Sequence, residues 1–339
     1  MIENKIRKTV TQAIFTAVAL GWLIMQMESA QAATLTVNNL NDNGVGSLRD
    51  TINIANNNDV VELLLGSHPS TISLTSGALA IAKNLTINGP GANLLTISSN
   101  NQFPVFNINA ADVRFFGLAI AGNINAYNSS NLTFTNSTIN SDNVNIDGNL
   151  TLINSTINSQ DLEINDGLTG IDDSNVKALD RITIGGNLTN PSGNLTISTG
   201  SLYINGGNII NSEAGGNITV TASDAITITG SEVLSTRVPE PSAIAASSNH
   251  SGAGGNITLT IPDLLILKPV RKPSPIANDS NNSGPGGNIT INSGPLILRP
   301  GAIISKPVPE PSAIAGSILG GSLAWLAKRK QAAFCKGKV

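Results

Sequence analysis

Short segments in which hydrophobic and polar residues alternate dominate the middle of the chain. Many consist of an aliphatic residue, a threonine and a second aliphatic residue, as in Leu85-Thr86-Ile87 and Ile257-Thr258-Leu259. Residues i and i+2 of a strand point to the same side, so each segment predicts a strand with one apolar face. Asparagine tolerates left-handed backbone and precedes most segments, which predicts a corner there. The asparagines at this position are Asn84, Asn131, Asn149, Asn194, Asn217, Asn256 and Asn288.

These segments recur about every ten residues over residues 61–305, with almost no helical periodicity between them. Such recurrence is typical of solenoids, and it predicts an all-β fold, a right-handed parallel β-helix. Stacked coils would align the corner asparagines into ladders of amides and the aliphatic residues into a core that needs few aromatics. A β-sandwich is the alternative, although its strands are usually longer and its core usually contains aromatic residues.

The N-terminal 32 residues have the three parts of a secretory signal peptide. Basic residues near the N-terminus precede an apolar stretch at residues 13–25, and the small residues Ala30 and Ala32 mark the expected cleavage site. Because the apolar stretch is shorter than the roughly 20 residues of a membrane span, we expect cleavage and export rather than anchoring.

Residues 33–60 are predicted to cap the first coil. Ser47 can cap a short helix that places Leu48, Ile52 and Ala55 on one face. Such a helix would cover the strand edges that an uncapped solenoid exposes.

The composition narrows the chemistry that the chain can perform. Of the 339 residues, 12% are charged and 3% aromatic, the formal net charge is −3, and 43 are asparagine. Because no basic run occurs before the extreme C-terminus, we expect no nucleic-acid partner. The single Cys335 and the two histidines, His68 and His250, exclude a disulfide framework and thiolate-rich or histidine-rich metal sites. We therefore expect no metal and no cofactor.

The densest group of residues with catalytic potential lies at residues 172–181. Asp172 and Asp173, with Asp180 and Arg181, could form the carboxylate pair of a glycoside hydrolase, or hold calcium beside an arginine base as in pectate lyases. Neither histidine has a sequence setting that would complete such a site. We favour a solvated turn and assign no catalytic residue, with a polysaccharide lyase or hydrolase as the alternative.

Residues 306–339 combine three features in a fixed order. The motif Pro309-Glu310-Pro311 precedes an uncharged stretch, residues 313–327, and then the basic cluster Lys328-Arg329-Lys330. The stretch predicts a short transmembrane helix, with the basic cluster as a stop on the cytoplasmic side. This order closely resembles the PEP-CTERM sorting signal of Gram-negative bacteria, which implies an exosortase-type processing enzyme as a partner. A plain C-terminal anchor is the alternative.

The resemblance implies an exported protein of the cell envelope, cell surface or extracellular matrix, with a transient or permanent inner-membrane anchor at its C-terminus. An internal copy of the motif, residues 238–245, is followed by polar residues where a span would be needed, so we expect no processing there.

Two further resemblances concern the predicted solenoid. The Gly-Gly-Asn-Ile-Thr units within residues 185–304 resemble the filamentous haemagglutinin-type repeats of large cyanobacterial surface proteins. The segment Gly46-Ser47-Leu48-Arg49-Asp50 resembles the CSLREA-type opening of bacterial β-helix surface proteins, with Gly46 where that family has cysteine. Together the resemblances imply a non-enzymatic surface protein that acts in adhesion or in association with exopolysaccharide or biofilm.

Overall fold

The computed structural model describes residues 32–207, 209–211, 216–229, 244–246, 256–262, 264–268, 276–277, 289–293 and 296–298. The cleavage residue Ala30, the motif Pro309-Glu310-Pro311, the stretch 313–327 and the cluster Lys328-Arg329-Lys330 lie outside these residues, whereas Ala32 lies inside them. No helix within the described ranges has the length and apolar character needed to cross a membrane.

The described residues form one helix, α1 (Leu48–Ile54), and 27 strands, numbered along the chain. Eleven strands form a single sheet, here called face A. They are β1 (Thr34–Val37), β2 (Val60–Leu63), β5 (Leu85–Asn88), β8 (Asp112–Phe116), β11 (Asn131–Thr135), β14 (Leu150–Ile153), β16 (Leu168–Ile171), β18 (Leu188–Asn190), β20 (Ile209–Asn211), β22 (Ile244–Ala246) and β25 (Ile276–Ala277).

The other 16 strands form a second sheet that bends into two faces, B and C. Face B contains β3 (Ser70–Ser73), β6 (Leu95–Ser98), β9 (Ala119–Ala121), β12 (Thr138–Asn140), β23 (Asn256–Ile261) and β26 (Ile289–Ser293). Face C contains β4 (Leu79–Ile81), β7 (Phe106–Asn109), β10 (Ile124–Tyr127), β13 (Asn143–Ile146), β24 (Leu264–Lys268) and β27 (Leu296–Leu298). Four longer strands cross from face B to face C, namely β15 (Thr156–Ile164), β17 (Ser174–Ile184), β19 (Asn194–Asn205) and β21 (Asn217–Thr229).

Every strand pair among the described residues is parallel, and the chain visits faces A, B and C in turn from β2 onward. The fold is therefore an all-β parallel β-solenoid, and the β-sandwich alternative is wrong. Leu132 pairs with Leu150 and Leu150 with Leu168, so the shortest coils contain 18 residues.

Aliphatic side chains from all three faces fill the interior, as the alternating pattern predicts. Leu132, Leu150 and Leu168 are at most 1% exposed and follow one another in register. Three phenylalanines add an aromatic stack that the sequence pattern did not predict. The ring centroid of Phe115 lies 5.0 Å from that of Phe106 and 4.8 Å from that of Phe134.

The short helix α1 begins where the sequence predicts it. The Ser47 side chain accepts a hydrogen bond from the backbone N–H of Asp50, and Leu48, Ile52 and Ala55 are buried. The helix packs against β1, β2 and β4, and the Lys83 ammonium donates to three carbonyls at its C-terminal end. The cation thereby satisfies carbonyls that lack partners within the helix.

The asparagines at strand starts form ladders, but not through left-handed backbone. Asn131 donates to Asp112 Oδ1 at 2.7 Å and accepts from the side chain of Asn149 at 3.0 Å. None of the described asparagines at this position has a positive φ. The left-handed conformation belongs instead to residues at strand ends, including Asn136 and Asn154.

The corners between faces differ in length. Between faces C and A, the chain turns through residues 128–130, 147–149, 165–167 and 185–187. Between β21 and β22 the same connection comprises residues 230–243. The connections between faces A and B lengthen in the later coils as well, from residues 172–173 to residues 247–255 and 278–288.

Candidate ligand-binding groove

The corner between faces B and C carries an open groove with a volume of about 760 Å³. It crosses five successive coils, from the end of β6 to the middle of β17. Ten of its twelve lining residues are polar, and asparagine and serine supply most of them. A long polar groove of this kind fits an extended ligand with many hydroxyl groups.

One residue from each coil forms the floor of the groove. The residues Ser98, Ala121, Asn140, Asn158 and Lys177 are consecutive partners in the parallel register. Because strands are spaced by about 4.8 Å, the four steps between them extend roughly 19 Å along the solenoid axis. The floor is therefore a regular row with one side chain per coil.

The two asparagines of the floor are joined by their amides. Asn158 Nδ2 donates to Asn140 Oδ1 at 2.9 Å. A primary amide has two N–H donors and an oxygen with two lone pairs, so this bond leaves donors on Asn140 and acceptor capacity on Asn158. The row therefore offers both donors and acceptors to a ligand lying on it.

The outer wall is formed by Asn101, Asp142, Gln160 and Leu179. Asn101 Nδ2 donates to Asp142 Oδ2 at 3.2 Å, and the Gln160 amide donates to Asp180 Oδ2. These bonds link side chains from different coils at the protein surface. Leu179 is 61% exposed and provides an apolar spot.

The groove carries one charge of each sign among its lining residues, Lys177 and Asp142. The ion pairs formed by the described residues are Arg49 with Asp42 and Arg181 with Asp161, so Lys177 belongs to neither. Lys177 is exposed at one end of the floor row. Its ammonium is therefore available to an anionic group.

Ser159 lies directly after the floor residue Asn158. It is 6% exposed, and its Oγ has no hydrogen-bond partner within the described part of the chain. A buried hydroxyl without a partner is uncommon, because it loses its bonds to water without replacement. Polar atoms of Ser99, Asn107, Thr135 and Asn190 share this feature within the described residues, so it does not by itself distinguish the groove.

The paired carboxylates Asp172 and Asp173 lie at the corner between faces A and B, away from the groove lining. Both have positive φ, and Asp172 stands one 18-residue coil after the left-handed corner residue Asn154. Asp172 accepts from Ser192 Oγ at 3.1 Å, and Asp173 accepts from the Asn194 side chain at 2.7 Å. These carboxylates tie one coil to the next.

Asp180 and Arg181 lie beyond the straight first part of β17. Asp180 is bound by Gln160, and Arg181 Nε lies 3.7 Å from Asp161 Oδ1. Asp173 and Asp180 are seven positions apart, roughly 23 Å along an extended strand. Glycosidase carboxylates are about 5–9.5 Å apart, so the structure does not bring these two carboxylates together for that chemistry.

Asp42 is the carboxylate with the most hydrogen bonds near α1. It accepts from Arg49 Nη2 at 2.7 Å and from the backbone N–H groups of Thr75 and Ser76 at 2.9 and 2.8 Å. Burial alone would raise the pKa of Asp42, but the hydrogen bonds from Ser76, Arg49 and Thr75 outweigh it and hold the pKa well below its usual range. The carboxylate joins the segment before α1 to the loop after β3.

No three histidine, cysteine, aspartate or glutamate side chains among the described residues are grouped to hold a metal ion. His68 is exposed in a loop, and His250 lies outside the described residues.

The groove itself was missed by sequence reasoning. One sequence signal for its floor exists. The triplet Thr-Ile-Asn occurs at residues 138–140 and again one coil later at residues 156–158, which places Asn140 and Asn158 in one row.

No protein-family model matches this chain, and no curated protein or solved structure matches it either.

Proposed function

We propose that this protein is an exported cell-surface or extracellular-matrix protein that holds an extended polysaccharide along the groove between faces B and C. The observation that carries the proposal is the in-register floor row, in which Asn140 and Asn158 present amides at the coil spacing. That spacing of about 4.8 Å is close to the length of one pyranose residue in an extended glycan chain. Each coil can therefore bind one sugar of the chain.

The lining also indicates how strongly a single site would bind. No aromatic side chain is among the lining residues, so the stacking that strengthens many sugar sites does not contribute here. Affinity would come from several weak hydrogen bonds repeated along the groove. Weak contacts repeated over many molecules suit a role in adhesion, exopolysaccharide association or biofilm structure.

The proposal includes the route of export. Residues 1–32 act as the signal peptide, and residues 306–339 act as the PEP-CTERM signal, with an exosortase-type enzyme as the partner that reads Pro309-Glu310-Pro311. In the same proposal the solenoid winds to the right, and residues 313–327 form a hydrophobic helix in the inner membrane.

Binding of purified full-length protein to a panel of soluble polysaccharides tests this function. The double variant Asn140→Ala/Asn158→Ala should lower the affinity about tenfold, because two hydrogen bonds of about 0.5–1.5 kcal/mol each are removed. The matched control is Asn125→Ala/Asn145→Ala, a pair in the same register on face C. Equal affinities for the two double variants would contradict the proposal.

The alternative function is a polysaccharide lyase or hydrolase. It is favoured by one observation, that Asp142 and Lys177 provide a carboxylate and an amine in the same groove. The same samples should be assayed for new reducing ends and for unsaturated products. Turnover that is lost in Asp142→Asn or Lys177→Gln would replace the binding role by the enzymatic one.

A further inference from the structure

We propose that face B of the later coils binds the surface of an ice crystal. The proposal concerns strands β19, β21, β23 and β26, which follow the coils of the groove, and it does not depend on the proposed function. It follows from the regular spacing of the threonine side chains on the outer side of these strands.

Two columns of short polar side chains run along this face, and together they are called the threonine array. One column consists of threonines throughout, and the other contains a serine, two threonines and an asparagine. All members are half-buried or exposed on the outer side of the sheet. The columns are Thr196, Thr219, Thr258 and Thr290, and Ser198, Thr221, Thr260 and Asn292.

Strand geometry sets the spacing of the threonine array in both directions. Neighbouring coils are about 4.8 Å apart, and two residues along a parallel strand span about 6.6 Å. The register between these strands does not shift over the length of the array, so its side chains form a rectangular lattice. Water oxygens on a prism face of ice form a rectangular lattice with similar repeats. The array can therefore hold several waters at crystal positions at once.

A ladder of asparagine amides fixes one border of the array. Asn217 Nδ2 donates to Asn194 Oδ1 at 2.8 Å, and Asn256 Nδ2 donates to Asn217 Oδ1 at 2.9 Å. Side-chain ladders of this kind keep stacked strands flat, against the usual twist of a sheet. A flat face is required for contact with a crystal surface.

The chemistry of the array suits ordered water better than a charged ligand. Threonine offers a hydroxyl that donates and accepts hydrogen bonds, beside a methyl group that orders the water around it. None of the outward residues in the face B part of these four strands is charged. On the preceding strand β17 the same two positions are Asn175 and Lys177, so the array begins at β19.

A single row of threonines would not carry this proposal, because threonine is common on strands. Face A has such a row, in which Thr151, Thr169 and Thr189 follow one another in register. The column beside it contains Ile153 and Ile171 instead of a second set of hydroxyl groups. A chain molecule needs only one row, whereas two matching columns fit a surface that repeats in two directions.

Ice growth in the presence of the purified full-length protein tests the proposal. The protein should lower the freezing point below the melting point and should inhibit recrystallisation. Thr219→Lys should abolish both effects, because a long charged side chain in the middle of the array keeps the lattice away. Thr258→Lys on the next strand should cause the same loss, and it carries the test if Thr219→Lys does not fold.

The matched control is Thr169→Lys, the same substitution at a half-buried threonine of face A, which should retain full activity. Circular dichroism shows whether each variant keeps the solenoid. The proposal is overturned if the unsubstituted protein does not affect ice growth, or if the folded control loses as much activity as the array variants. Binding to crystalline cellulose that depends on Thr219, without any effect on ice, would also overturn it and assign the array to a glycan. The groove variant Asn140→Ala/Asn158→Ala should act on ice like the unsubstituted protein, so the two proposals are tested separately.

Discussion

Replacing Phe115 by alanine should destabilise the solenoid by about 3–5 kcal/mol. Phe115 is fully buried, and its ring lies between those of Phe106 and Phe134, with centroids 5.0 and 4.8 Å away. The substitution removes a large apolar side chain and both aromatic contacts, each worth about 0.5–1.5 kcal/mol. The lost contacts belong to β7, β8 and β11, so two successive coils are weakened together.

Urea denaturation followed by far-ultraviolet circular dichroism gives the free energy of unfolding. The matched control is Phe116→Ala on the same strand, because Phe116 is on the outer side and only half-buried. The control should cost about 1 kcal/mol or less. Phe115→Leu, which keeps most of the apolar volume, should lie between the two. Equal losses for Phe115→Ala and Phe116→Ala would refute the assignment of the stack to the core.

Three further predictions concern other parts of the chain. Because the folded state holds the pKa of Asp42 below its unfolded value, the carboxylate stabilises the fold fully above about pH 4 and loses this effect as the pH falls. In urea titrations between pH 6 and 3, the free energy of unfolding should fall less for Asp42→Asn than for the unsubstituted protein. Gly185→Ala should destabilise by about 1–3 kcal/mol or prevent folding, because its Cβ would lie 1.8 Å from the Asn165 carbonyl oxygen. Gly66→Ala, with open space around it and a φ of +90°, should cost only about 1 kcal/mol in the same denaturation assay. Mass spectrometry of protein recovered from the producing cells should find a C-terminus near Pro309–Pro311, and an intact Val339 found only in membranes would contradict sorting.

Much of the fold could be predicted because short alternating segments that recur at regular intervals are compatible with few arrangements other than stacked strands. The Leu-Thr-Leu and Leu-Thr-Gly segments at residues 150–152 and 168–170 specify equal positions on face A, and their stacking follows. The N-terminal helix was equally accessible, since Ser47 and the spacing of Leu48, Ile52 and Ala55 are local signals.

The aromatic stack and the two kinds of asparagine could not be predicted in the same way. Phe106 and Phe115 are in contact because they lie on different faces of one coil. The number of residues between them does not correspond to any repeat in the sequence. Asn131 and Asn136 both bond to an asparagine of the next coil, yet only Asn136 has left-handed backbone. Their position relative to the strand ends decides between these conformations.

The groove depends on a backbone feature that no residue pattern specifies. β15 and β17 pass from face B to face C through shifts in register between Ser159 and Asp161, and between Ala178 and Arg181. These bends place Asp142 and Lys177 along one corner, although 35 sequence positions separate them. The sequence therefore pointed to Asp172 and Asp173, which are adjacent in the chain. It did not point to Asp142 and Lys177, which lie in one groove only because successive coils are stacked on one another.

The unequal corners between faces C and A determine where the molecule can accept foreign sequence. The short turns already tolerate a difference of one residue, since residues 110–111 and 128–130 join strands that keep the same register. The connection through residues 230–243 already departs from that length while β20 and β22 remain paired. A peptide tag or epitope inserted there should leave the register intact. Repetition of such insertions would allow the solenoid to diversify during evolution without any change in its core.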